Sequence, residues 1–256
     1  MTKNYYFSKF RSQEFYALCE LLCSIFNTSS TELTGFYQAL SRDLEKPDYP
    51  KPFAGRSFFQ SLNKDFQEVY QSSPVVSVDL PSIWEWDDSN TDKPTVVLIG
   101  QDPKMNYRFT DLVIGTPYGL HHKDSRKGKQ KPSHYWVMIQ DIMNLGYRVY
   151  LTDIWKLWVC DPASPFKGKN LNKVDRDRFV SILKQEITLQ KPDAVITWGR
   201  PAQQSIDYLK LPYLHLNIPH PSPMPNSAWK ALVGKQSFEN KLIYWRQFLK
   251  DNLEAR

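Results

Sequence analysis

VVLIGQDPKMN, residues 96–106, opens as an unbroken apolar run and stops at Gly-Gln-Asp-Pro. Such a run, closed by glycine and proline, predicts a strand buried on both faces that ends near residue 100. Asp102 then stands just past the carboxyl end of that strand. A lone aspartate there is ordinarily a turn or a helix cap. What the neighbouring strands place beside it decides whether it is more.

The same rhythm recurs to the end of the chain. The pattern predicts strands at YRVYLTD (147–153), DAVITWG (193–199) and YLHLNIP (213–219). Between and after them it predicts helices at SHYWVMIQDIMNLG (133–146), RDRFVSILKQEITLQ (176–190), RPAQQSIDYLK (200–210) and SFENKLIYWRQFLKDNL (237–253). Nearly all-apolar strands alternating with helices imply a three-layer α/β/α sandwich around a mainly parallel sheet. In such sheets ligands bind at the carboxyl ends of the strands. That rule gathers GQDP (100–103), TDIWK (152–156), TWGR (197–200) and IPHPSP (218–223) on one rim.

Upstream, apolar spacing predicts helices over 12–28, from Ser30 to about Leu44 behind an SSTE capping signal, and over 56–70. EKPDYPKP (45–52) breaks the pattern with three prolines, and residues 71–94 read as loop-like. The expected organisation is a helical N-terminal extension, 1–93, packed on an α/β domain, 94–256.

Of the 256 residues, 41% are hydrophobic and 14% aromatic, enough for a large core with rings to spare. The net charge of +6 favours a polyanionic partner. The N-terminus has no signal-like apolar region, and no apolar run is long enough to span a membrane, so the expected protein is soluble, cytoplasmic and monomeric. Three cysteines are too few to hold an iron–sulfur cluster by four thiolates. Cys19 and Cys23, one helical turn apart, read as buried thiols. The adjacent His121 and His122 have no partner spacing for a metal, and no metal or cofactor is expected.

GQDP and HPSP, 120 residues apart and each after a strand, with VITWGRPAQQ (195–204) between them, resemble the motifs of the uracil-DNA glycosylase superfamily. YPKP (49–52) is a weaker match to that family's proline-rich loop. The resemblance covers about residues 94–249. It implies a monofunctional DNA glycosylase that flips a base out of DNA and leaves an abasic site. It also implies catalytic roles for Asp102, at the sugar, and His220, at the base carbonyl. Gln101 would contribute through its backbone, and Pro221 and Ser222 would meet DNA. Met224 would stand where the family places a leucine wedge.

The chemistry asks for these residue types. Cleavage of the bond from C1′ to the base develops positive charge on the sugar and negative charge on the base. A carboxylate stabilises the first, and an imidazole hydrogen bond the second.

Three departures bear on the base. The family commonly continues GQDP with a tyrosine that walls off pyrimidine C5; here Lys104 follows, then Met105 and Asn106. The expected stacking phenylalanine is replaced near Ile114 or Gly115, with Tyr107, Phe109 or Tyr118 as substitutes. The family's base-reading asparagine falls on Asp153, or on Thr152 if the register slips by one. An ionised aspartate offers only acceptors and suits the amino group of cytosine better than O4 of uracil. Asp153, Gln101, Lys104 and Tyr118 are therefore the base-binding candidates. The combination suggests a C5-modified cytosine, such as hydroxymethyl- or glucosyl-hydroxymethylcytosine in viral DNA. A repair enzyme for uracil and a non-catalytic nucleic-acid-binding module are the alternatives.

The basic segment 121–131, with Lys123, Arg126, Lys127, Lys129 and Lys131, reads as a mobile DNA-contacting loop. Trp155, Trp158 and Trp198 are expected in packing roles, and Trp229 as a ring that stacks on DNA.

Overall fold

The computed structural model describes residues 4–46, 55–88, 92–104, 112–128, 132–222, 227–235 and 237–254. Its central sheet is built from β1 (Tyr5–Phe7), β3 (Ser82–Trp86), β4 (Thr95–Gly100), β6 (Arg148–Asp153), β9 (Ala194–Trp198) and β10 (Leu214–Ile218). The strand order is β1-β3-β6-β4-β9-β10, and the pairings from β6 to β10 are all parallel. β3 runs antiparallel to both β6 and β1. Every residue of β4, β6 and β9 is buried, as strands covered on both faces require.

Two apolar layers cover the sheet. One contains Leu18 and Leu22 of α1 (Ser12–Cys23), Leu33 and Leu40 of α2 (Ser30–Arg42), and Phe179 and Leu183 of α6 (Lys173–Gln190). The other contains Trp136 and Ile139 of α5 (His134–Asn144), Trp229 of α8 (Ser227–Val233) and Trp245 of α9 (Phe238–Leu249). Ala202 and Ile206 of α7 (Arg200–Leu209) join the first layer. The α/β/α sandwich expected from the strand–helix rhythm is the observed architecture.

The first 93 residues are not helical alone. Residues 71–94, read as loop-like, hold β2 (Val76–Asp79) and β3. β2 joins a second sheet in the order β5-β2-β7-β8, with β5 (Leu112–Gly115), β7 (Leu157–Asp161) and β8 (Ser164–Gly168). These strands have four or five residues each, too few for a period to stand out. The helix predicted over 56–70 is broken. Arg56–Phe58 form a single 3₁₀ turn, and α3 (Lys64–Ser72) restarts at Asn63, whose side chain accepts from Phe66 N–H at 2.9 Å.

The basic segment also differs from its reading as a loop. Lys123–Lys127 form a short helix, α4. Arg126 is fully buried, and its guanidinium donates to Leu120 O, Leu44 O, Glu45 and Tyr5 Oη. It ties the segment to the N-terminal region and has no exposed face for DNA. Lys127 stays exposed but pairs with Glu45 at 3.2 Å. Lys129 and Lys131 lie outside the described residues.

Among the described residues, no helix is long and apolar enough to cross a membrane. Cys19 is buried and Cys23 half-buried, both as free thiols.

Candidate active site

The parallel strands end side by side, and their register fixes what meets on the rim. Gly100 of β4 stands opposite Asp153 of β6, and Trp198 of β9 opposite Ile218 of β10. Asp102 and His220 each follow two residues after their strand, with β9 between them. Two strand spacings, about 10 Å, separate the backbones that carry them.

The GQDP loop is held from three directions. Ile154 N–H donates to Gly100 O at 3.1 Å, Trp155 N–H to Gln101 O at 3.1 Å, and Ser77 Oγ to Pro103 O. Gln101, expected to act through its backbone, also uses its side chain: Nε2 donates to Asp102 Oδ2 at 2.8 Å. Burial raises the Asp102 carboxyl above the usual aspartate range, against the opposing pull of that hydrogen bond and of Lys104.

His220 is set as a neutral donor. Ser222 N–H donates to its Nδ1 at 3.2 Å, which leaves the ring proton on Nε2. Burial, helped by the nearby Lys241 charge, pushes its pKa down to about 4. Two contacts fix its backbone. Trp229 Nε1–H donates to His220 O at 2.8 Å, and Lys241 Nζ donates to Ser222 O at 2.8 Å. Gly199 lies beneath. Its φ is +92°, and a Cβ there would stand 3.2 Å from His220 Cβ.

These contacts correct the expectation for Trp229. Trp229 is fully buried, with its N–H spent on His220 and Lys241 over its ring, so it buttresses the histidine loop and presents no face to DNA. Ser222, expected to meet DNA, directs its N–H to the imidazole. Pro221 is buried, and Met224 lies outside the described residues, as do Met105, Asn106, Tyr107, Phe109 and the YPKP segment.

Two aromatic rings stand beside the histidine loop. Tyr118 and Tyr135 stack at 4.2 Å between centroids, and both approach the His220 ring, at 6.1 and 5.7 Å. Tyr118 adopts φ +61°, an uncommon backbone state for a non-glycine residue. Its hydroxyl is buried without a hydrogen-bond partner among the described residues. Tyr135 has no motif to mark it in the sequence; only its helix position places it here. Ile114, near the position expected for the stacking ring, is fully buried.

Asp153 and Thr152 point to opposite faces of β6. Thr152 Oγ1 accepts from Lys156 Nζ at 3.1 Å inside the first apolar layer. Asp153 crosses over Gly100, where a Cβ would collide with its Oδ1 and stand 2.5 Å from Tyr118 Oη. Asp153 thus joins Tyr118 and the GQDP loop, and Thr152 does not.

A second carboxylate escaped the sequence. Asp79, the last residue of β2, is buried, and its charge bears on Asp153. Burial raises Asp79 to about 7, and burial with the charges of Asp79 and Asp102 raises Asp153 well above the carboxylate range. No alternation or motif marks Asp79, and only the pairing of β2 with β5 and β7 brings it to this rim.

A cavity of about 440 Å³ opens beside Asp102. Trp155 and Trp158 line it, with Lys104, Lys167, Lys169 and Arg176 as its cations. Its size falls within the range of small-molecule pockets.

Fold and rim together define an α/β sandwich with a buried carboxylate and a neutral imidazole across the strand ends. No family model matches the chain. It is similar to a uracil-DNA glycosylase of Agathobacter rectalis, with 27% identity over 177 residues that cover 63% of this chain and 71% of that protein.

Proposed function

We propose that this chain is a DNA glycosylase that hydrolyses the N-glycosidic bond of a flipped base and leaves an abasic site. The observation that carries the proposal is the pairing of Asp102 with an imidazole whose only ring proton is on Nε2, on one rim of a parallel sheet. The similarity to a uracil-DNA glycosylase supports it.

Each residue has a stated task. With the flipped nucleotide between the two loops, Asp102 lies at the sugar, stabilises positive charge at C1′ and orients water for attack. The C1′–N bond breaks with its electron pair passing to the base. His220 Nε2–H donates a hydrogen bond to the base carbonyl oxygen that gains negative charge. A neutral imidazole suits this role, because its donor is available throughout the physiological pH range. Water supplies the new C1′ hydroxyl, and its remaining proton completes the released base. Tyr118 and Tyr135 offer the stacking surface.

The target we propose is a cytosine-type base with a substituent on C5. The Asp153 carboxyl, over Gly100 and beside Tyr118, supports this reading as the group that meets the base edge. An oxygen that only accepts suits the cytosine amino group and opposes O4 of uracil at a cost of about 1–3 kcal/mol. Lys104 stands in place of the family's C5 wall, and a cavity lined by Lys104 and Asp102 lies on that side of the GQDP loop. Such specificity would suit defence against viruses with modified cytosine, since unmodified host DNA would lack the required group.

The test is base release from oligonucleotides that contain uracil, cytosine, 5-hydroxymethylcytosine or its glucosylated form, single- and double-stranded. Release confined to C5-modified cytosine is expected. Release of uracil alone would keep the chemistry and overturn the specificity, and tight binding with no release would favour a binding module.

A further inference from the structure

Lys241 of α9 takes no part in the hydrolysis described above, yet it lies beneath the histidine loop and is only 3% exposed. Lysine is rarely buried this far without a carboxylate beside it. Among the described residues, no carboxylate pairs with Lys241. Its Nζ donates to Ser222 O at 2.8 Å and stands 5.3 Å from the centre of the Trp229 ring, and burial draws its pKa down.

The groups around it leave that charge standing. On α5, His134 stacks on Phe238 of α9 at 3.6 Å, and burial together with the Lys241 charge disfavours its protonation. Asp141, further along α5, is engaged by Arg246 at 3.0 Å. Glu239, two residues earlier on α9, is exposed. On α8 the neighbour is the Trp229 ring, and on the loop it is His220.

Lys241 and Trp229 grip the loop together. Trp229 takes the carbonyl of His220 and Lys241 that of Ser222, so the backbone is tied on both sides of the Ser222 N–H. That N–H is the one that reaches Nδ1 of the ring. Ser222 thus links ammonium to imidazole, through a bond at its carbonyl and another at its N–H. One residue of backbone between two hydrogen bonds sets the ammonium no more than about 10 Å from Nδ1. In a buried site a unit charge at that distance acts more strongly than in water.

A positive charge behind a neutral imidazole has two consequences. It opposes protonation of Nδ1, and it acidifies the Nε2–H donor, which then binds more strongly to an oxygen that gains negative charge. Buried on Ser222 O, the ammonium acts on the base through the loop and through its field.

We propose that Lys241 is a positioning residue for base release: it clamps Ser222 against the His220 ring, and its unpaired buried charge stabilises the anion of the departing base. This rests on the glycosylase reading, and on His220 as the group that meets the base carbonyl.

The experiment compares wild type with Lys241→Arg, which keeps the charge, Lys241→Gln, which keeps a donor without charge, and Lys241→Met, which keeps neither. The first readout needs no substrate: the protonation of His220, read from the nitrogen-15 shifts of its ring. At pH 5 the wild-type ring, with a pKa of about 4, should stay mostly neutral. In Lys241→Gln and Lys241→Met, about half of the rings should be protonated, a rise of about one pH unit in the midpoint. Lys241→Arg should follow wild type.

The second readout is single-turnover base release at saturating enzyme, from duplexes with glucosylated 5-hydroxymethylcytosine, 5-hydroxymethylcytosine, cytosine or uracil. Lys241→Gln should slow release about 30-fold with half-saturation unchanged, and Lys241→Arg should recover most of the rate. Lys241→Met should be slow yet melt no lower than wild type, because it removes a buried unpaired charge. Unchanged ring protonation or an unchanged rate in Lys241→Gln would overturn this proposal alone. Release of no base by wild type from any of these duplexes would overturn the glycosylase reading and this role with it.

Discussion

Thr152 and Asp153 are neighbours on one strand, both buried, and the two faces of β6 treat polar groups in opposite ways. On the Thr152 face, Lys156 and Glu186 form an ion pair at 2.6 Å with neither side chain exposed. Lys156 also donates to Thr152, and Tyr150 Oη donates to Glu186 at 3.0 Å. On the Asp153 face, a buried carboxyl group lies in the field of Asp79 and Asp102, and the nearby Tyr118 hydroxyl has no partner among the described residues. Burial costs free energy on both faces. It is offset on the first face by opposite charge and left standing on the second, the pattern expected where a site awaits a ligand.

The comparison can be broken most forcefully at the site itself. Asp102→Asn should lower single-turnover base release by roughly 1,000-fold with little change in thermal stability. His220→Ala should cost about 100-fold. On the paired face the sign reverses. Glu186→Ala should destabilise the protein by about 3–5 kcal/mol in urea titration, because it strands the buried Lys156 charge. The double change Lys156→Met with Glu186→Leu should recover most of that loss.

Linkage sharpens the contrast. Asp79 is raised in the folded state to about 7 from an ordinary value of 3.8. A raised acid stabilises below its unfolded value, and that contribution is lost as pH rises through the folded value. Stability measured against Asp79→Asn should therefore fall from pH 4 to 7, by roughly 4 kcal/mol over the window. The smallest effect belongs to Asp153→Asn, which takes a buried carboxyl out of the field of Asp79 and Asp102. It should raise stability by about 1 kcal/mol while base preference shifts toward uracil-type bases.

What the sequence disclosed follows from this same division. β4, β6, β9 and β10 were legible because their apolar runs end in glycine, proline or a charged residue. Their order along the chain then placed Asp102, Asp153 and His220 on one rim. β2, β3, β5, β7 and β8 were not, being short strands whose burial comes from pairing across the fold. Asp79 was lost with β2.

Arg126 and Trp229 misled for another reason. A basic run and a ring near a DNA-binding motif suggest exposure, but side chains decide otherwise. The Arg126 guanidinium is consumed by four acceptors, and the Trp229 N–H by the His220 carbonyl. Tyr135 reaches the site only through the packing of α5 against the sheet.

The central claim is that Asp102 and His220 hydrolyse an N-glycosidic bond in DNA. The most direct measurement is single-turnover release of base from a duplex with one glucosylated 5-hydroxymethylcytosine, comparing wild type with Asp102→Asn. Alkali cleavage would mark the abasic site. The account predicts free base and an alkali-labile strand with wild type, and neither on the same timescale with Asp102→Asn. Equal release by both proteins would contradict it, as would the absence of release by wild type from this duplex and from matched duplexes with 5-hydroxymethylcytosine, cytosine or uracil.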